Sequence, residues 1–127
     1  MGDTTLQVAS WLNISASSES GLFQHRFADH HVGNPFIRSL HGGVTAALTE
    51  YCAEQAVIQE LGEGVRCRLT SNSMNYLRVT KSENVFVRAT ITRLSRRMAF
   101  VDVTCWQDDE ASPVTKGQCN IRIIRAE

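Results

Sequence analysis

This chain has almost no lysine, no net charge, no long apolar run and no paired cysteines, and each absence removes a class of protein. Thirteen basic side chains balance thirteen acidic ones, which excludes a non-specific nucleic-acid binder, since such a protein is basic overall. No apolar run exceeds a few residues, far short of the roughly 20 needed to cross a bilayer. The stretch MGDTTLQVASWLNI has no basic segment followed by an apolar core, and Leu6 stands where a myristoylation signal needs Ser or Thr. Cys52, Cys67, Cys105 and Cys119 form no CxxC. With no export signal they read as reduced, small, buried side chains of a cytoplasmic protein. There is no GxSxG elbow and no P-loop. Asp29-His30-His31 is not read as a metal site, because adjacent histidines point apart on a strand and no third ligand has suitable spacing.

What is present is a single-domain length, 127 residues, enough to bury a core without a disulfide or metal staple. The neutrality hides an asymmetry. Residues 1–65 hold two arginines against seven carboxylates, and residues 66–127 hold eleven basic groups against six carboxylates. Eleven of the thirteen basic residues are Arg. Guanidinium pairs bidentately with phosphate or carboxylate, so the second half is suited to holding an anion.

Residues 4–12 predict a short amphipathic helix, 13–20 a turn or edge strand, 21–27 a strand, and 28–40, with Gly33-Asn34-Pro35, a loop. Residues 43–61 predict the one long helix, rich in Ala, Leu, Glu and Gln and closed by Gly62 and Gly64. Four strands follow, over 67–78, 85–92, 98–106 and 114–124, with turns at Lys81–Asn84 and Gln107–Pro113. Residues 85–92 alternate strictly, and 98–106 place Ala99, Val101, Val103 and Cys105 on one face. One helix followed by antiparallel-type strands is an α+β chain, a curved sheet wrapped round the helix.

On a wheel of about 100° per residue, Thr45, Thr49, Gln55, Gln59 and Glu60 fall on one side. Glu50 falls on the stripe of Ala46, Val57 and Leu61, nearly opposite. A carboxylate there must be paired, neutral, or facing a cavity or interface. The candidates are therefore acid–base chemistry and an ion pair with an arginine across a subunit contact. Ahead of the helix stands His41-Gly42-Gly43. Two glycines let another backbone or a ligand come close, and the first helix amides can donate to an anion or a developing oxyanion. Arg93, Arg96 and Arg97 cluster in a turn between strands, with Arg78 and Arg88 as lesser anion candidates. Cys52 lies two residues beyond Glu50 and so points elsewhere.

Read in order, H-V-G-N-P, L-H-G-G-V-T-A-A-L-T-E, S-M-N-Y-L-R and S-R-R-M-A-F-V-D-V resemble the hotdog-fold acyl-CoA thioesterases of the phenylacetate-pathway (PaaI-like) type, from about Asn34 to Ile124. The resemblance implies one hotdog domain over residues 1–127 and an edge-to-edge homodimer with the active site at its interface, as a dimer or a dimer of dimers. It implies hydrolysis of an acyl-CoA, with coenzyme A as part of the substrate and no separate cofactor. It assigns Gly42 as the amide that polarises the thioester carbonyl, with Gly43 beside it. Glu50 becomes the catalytic carboxylate, general base or nucleophile, and His41 the residue that holds loop and thioester. Asn34 becomes the loop amide that orients substrate or water, one residue further from His-Gly-Gly than in some relatives. A strand Ser or Thr faces the carboxylate in the family. Thr70, Ser71 and Ser73 compete for that place, with Ser71 favoured. Arg93, Arg96 and Arg97 are left to bind the coenzyme A phosphates. Val79-Thr80 follows the YLR segment where the family often has Pro-Ala or Pro-Gly. A non-catalytic acyl-CoA-binding module and a hotdog dehydratase are the alternatives. The second usually needs a His–carboxylate pair at other positions.

Overall fold

A computed structural model describes residues 9–28, 32–34, 39–40, 42–62 and 64–125, with the backbone alone for 32–34, 39–40 and 42. Residues 9–12 are helical, so the expected N-terminal helix is seen where it is described. Then come strands β1 (Ile14–Ala16), β2 (Leu22–His25), β3 (Val32–Asn34) and β4 (Ser39–Leu40), the central helix (Gly42–Leu61), and strands β5 (Val65–Tyr76), β6 (Val85–Leu94), β7 (Met98–Trp106) and β8 (Thr115–Arg125). None of the described helices is long and apolar enough to cross a membrane.

The six longer-range strands form one antiparallel sheet in the order β1-β2-β6-β7-β8-β5. The chain therefore leaves β5 at one edge and re-enters at β6, three strands away. The connection is fastened where the two expected turns meet. Gln107 accepts from the Lys81 amide at 3.0 Å and donates to the Lys81 carbonyl at 2.8 Å, standing in for a strand partner. The segment 28–40, expected as a loop, instead contains the small β3–β4 pair, joined at Val32↔Leu40 and Asn34↔Ser39. Strands of two or three residues are too short to show a period.

The core follows strand parity. Ala99, Val101, Val103 and Cys105 of β7 are all buried, as are Val85, Val87 and Ala89 of β6 and Cys119, Ile121 and Ile123 of β8. The helix meets this face with Val44, Leu48, Cys52, Ala53, Ala56 and Val57. Gly117 lets it approach: a Cβ there would sit 3.1 Å from Thr49 Cγ2 and 3.2 Å from Met74 Cγ. At the far end Gly62 takes φ +87° and its amide donates to the Ile58 carbonyl at 2.7 Å, a left-handed helix stop that favours glycine.

The helix wheel needs one correction. Thr45 and Thr49 face the sheet and are each only 1% exposed. Thr49 Oγ1 donates to the Thr45 carbonyl at 2.9 Å and lies 4.0 Å from Cys105 Sγ. Bonding back to the preceding turn satisfies the hydroxyl, so a threonine can occupy an apolar position. The solvent side is carried by Gln59 and Glu60, and Glu50 sits half-buried at the border of the buried face, nearly in line with Val57 about two turns on.

Candidate active site

The helix starts at Gly42, so the amides of Gly42 and Gly43 lie at the positive end of its dipole. His41 lies outside the described residues, as do His30 and His31. Asn34 ends β3, which pairs with β4 directly before the helix, so the backbone brings Asn34 and the helix start into one short segment.

Glu50 has no hydrogen bond or ion pair among the described residues. It faces the β5–β8 end of the sheet, and its effect is felt there. The Cys119 thiol on β8 is pushed up to about 12, first by burial and then by Glu50 and Glu54. Cys67 on β5 is raised by burial and then by Glu54. The Cys119 thiol donates to Asn72 Oδ1 at 3.7 Å, and Asn72 and Cys119 are cross-strand partners. The Glu50 charge thus reaches Cys119, whose thiol bonds Asn72 on the neighbouring strand, while Cys67 answers to Glu54.

Glu54, one turn beyond Glu50, is raised above its ordinary value of 4.5, first by burial and then by Glu50. A carboxyl raised in the folded state contributes stability that is present below its unfolded value and is lost as pH rises through its folded value. Glu54→Gln, uncharged at every pH, should therefore melt higher than wild type at about pH 7 and no higher below about pH 4. Thermal melts at the two pH values check this. An unchanged difference between them would contradict it.

Ser71, the favoured strand hydroxyl, does not face Glu50. The β5–β8 register slips between Leu69 and Ser71. Cys67 and Leu69 point inward before this bulge, and Asn72 and Met74 after it, leaving Ser71 and Ser73 exposed. The extra residue reverses side-chain parity, so an assignment that assumes strict alternation lands on the wrong face. Thr70 is also turned away, donating to the Asn120 carbonyl at 2.9 Å.

The arginines form a separate region. Arg93 is exposed on the outer face of β6 opposite Phe100. Arg96 and Arg97 lie in the β6–β7 turn, whose backbone is held against β8. The Arg97 carbonyl accepts from the Ile123 amide at 2.8 Å, and the Arg96 carbonyl from Arg125 Nε at 3.4 Å. Within one chain these side chains are not brought to Glu50, which lies on the inner face. The sequence reading missed that Arg68 and Arg122 stand directly opposite each other on the outer face, extending the basic region. Strand parity is the signal that carries them. Arg88 is otherwise engaged, paired with Glu110 at 2.6 Å and Glu19 at 3.3 Å and lying 5.8 Å over the Trp106 ring.

A cavity of about 450 Å³ opens beside β6 beyond the end of β2, lined by Gly21, Ala56, Glu60, Ile91 and Arg93 among others. It does not include Glu50.

The sequence model of the thioesterase superfamily matches residues 38–114, more than half of the chain. Among solved structures, a Haemophilus influenzae thioesterase is 27% identical, with 92% of this chain and 82% of that chain covered and a TM-score of 0.80. A Bacillus halodurans protein solved with CoA is 20% identical over 92% of this chain and 75% of that one, with a TM-score of 0.79. A phenylacetic acid degradation-related protein from Ralstonia eutropha is 22% identical over 91% of this chain and 89% of that one, with a TM-score of 0.78. Among curated protein sequences none matches this chain.

Proposed function

This chain belongs to the thioesterase superfamily and has the hotdog fold, and on that premise we propose that it hydrolyses an acyl-CoA thioester to a carboxylic acid and coenzyme A. The observation that carries the reading is Glu50, a half-buried carboxylate without a described partner, eight residues after paired glycines at a helix start. The CoA bound by the Bacillus halodurans relative supports coenzyme A as the thiol.

In this reading the Gly42 amide, backed by the helix dipole, donates to the thioester oxygen and draws charge out of the carbonyl. Gly43 lets the substrate come close, His41 holds the thioester, and Asn34 orients substrate or water. As general base, Glu50 takes a proton from water while the water oxygen attacks the carbonyl carbon. The C–S bond then breaks, and the departing thiolate receives the proton. As nucleophile, Glu50 attacks directly, the thiolate leaves, and water hydrolyses the resulting anhydride. Both routes end in acid and thiol.

Geometry supports a site shared between two copies of the chain. Gly42 and Glu50 are separated by about 12 Å of helix, whereas a carbonyl must lie within about 3 Å of its donor and its attacking group. A homodimer in which one protomer gives the helix start and its partner gives Glu50 removes the gap, and such a dimer can pair again into a tetramer. Arg93, Arg96 and Arg97 take the coenzyme A phosphates. The free thiols support a cytoplasmic place of action.

Arg96→Ala and Arg97→Ala should raise KM for acyl-CoA and leave kcat nearly unchanged, and wild-type KM should rise with ionic strength. Steady-state kinetics across a salt series reads both, and a KM indifferent to salt would remove the arginines from the account. Mass spectrometry of the products tests the reaction class. Free acid with coenzyme A is expected. Tight binding without turnover would favour an acyl-CoA-binding module, and loss of water from the acyl chain would indicate a dehydratase.

A further inference from the structure

We propose that Asn72, rather than a strand hydroxyl, holds the attacking water against Glu50, and that the Cys119 thiol fixes which way its amide points. The inference rests on the hydrolase reading and gives the β5 position a residue and an orientation.

The bulge at Leu69/Ser71 turns Asn72 onto the inner face. Directly across, Cys119 also points inward, and its Sγ lies 3.7 Å from Asn72 Oδ1. A thiol carries one proton and accepts only weakly, so this contact is a donation from sulfur to the amide oxygen. Burial and the two helix carboxylates hold Cys119 up at about 12, so the thiol keeps that proton at neutral pH. The amide oxygen is thereby occupied, and the two Nδ2 protons remain to be given elsewhere.

Among the described residues Glu50 accepts no hydrogen bond from Asn72, yet its charge reaches Cys119, the residue that bonds the Asn72 amide. A water between them matches both. It accepts from Asn72 Nδ2 and donates to the Glu50 carboxylate, which leaves one lone pair for the carbonyl carbon. A serine hydroxyl can reverse its donor and acceptor roles. An amide pinned through its oxygen cannot, so it presents donors only, the polarity that suits a water whose proton is bound for a carboxylate.

The test uses the full-length chain and four variants: Asn72→Ala, Cys119→Ala, Cys119→Ser and Glu50→Ala. Asn72→Ala should lower kcat about a hundredfold, the scale for misplacing a reacting group by about 1 Å, with little change in KM. Cys119→Ala should lower kcat by less, and Cys119→Ser, which keeps a donor, should recover most of that loss. The Asn72 side-chain amide resonances should move in Cys119→Ala and far less in Cys119→Ser, a readout independent of turnover. Asn72→Ala turning over within about twofold of wild type, where a misplaced attacking water costs far more, would overturn the proposal. So would Cys119→Ser and Cys119→Ala shifting the amide alike. Glu50→Ala separates the two levels. If it keeps full activity, the Glu50 site itself is misplaced. If it is inactive while Asn72→Ala is not, only the Asn72 inference falls.

Discussion

Turnover of acyl-CoA by Glu50→Ala falls by about a thousandfold, within the range for loss of a proton-transfer group, while KM stays close to wild type. The reason lies in what Glu50 does not do in the resting chain. It makes no hydrogen bond or ion pair among the described residues, so its removal leaves none of their polar groups unpaired. Its nearest charged neighbour on the helix is Glu54, whose carboxyl it helps to raise, so truncation relieves repulsion. The variant should therefore fold at least as well as wild type, and the loss should appear in kcat. If Glu50 instead met an arginine across a subunit contact, Glu50→Ala would weaken association. The loss would then depend on protein concentration and be visible by sedimentation. Thermal melts and kinetics at two protein concentrations separate these outcomes.

Leu48→Ala lowers stability by about 2–5 kcal/mol. Leu48 is fully buried two residues before Glu50, on the face by which the helix seats on the sheet. The close seat at Gly117 shows how little room exists for rearrangement there: Thr49 Cγ2 already lies 3.1 Å from where a Cβ would be. A cavity at Leu48 therefore relaxes only in part, and cavity and lost burial add. Urea unfolding followed by circular dichroism measures it. A loss under about 1 kcal/mol, below the range for a large-to-small core change, would mean that the helix does not rest on this residue.

Elements with a strict period were legible before any coordinates. Strand β7 covers Met98–Trp106, the bounds expected from its alternation, and the helix covers Gly42–Leu61 against an expected 43–61. Elements governed by local exceptions were not. Thr45 and Thr49 look polar by type but are buried, the Thr49 hydroxyl being satisfied within the helix, so the wheel misjudged which face meets the sheet. Strand β5 lies beside β8 rather than β6, a long-range pairing that no local pattern carries. Ser71 lies on the exposed side of β5 because the strand is bulged between Leu69 and Ser71. The bulge had left a trace: Leu69 and Met74 are five apart, an odd spacing, so they share a face only if one residue is extra. That same spacing would have pointed to Asn72. Of the proposed site, Gly42 and Glu50 stand out in the sequence because each breaks a local rule. The first places paired glycines at a helix start, and the second places a carboxylate beside a buried stripe.

The central claim is that this chain cleaves an acyl-CoA thioester through Glu50. It is tested most directly by thiol release from a panel of aryl-acyl and medium-chain acyl-CoA thioesters, followed in parallel for wild type and Glu50→Ala. Wild type should release one thiol per thioester from at least one member of the panel, and Glu50→Ala should release it about a thousandfold more slowly. Equal release by the two proteins, or none by wild type with any thioester, would contradict it.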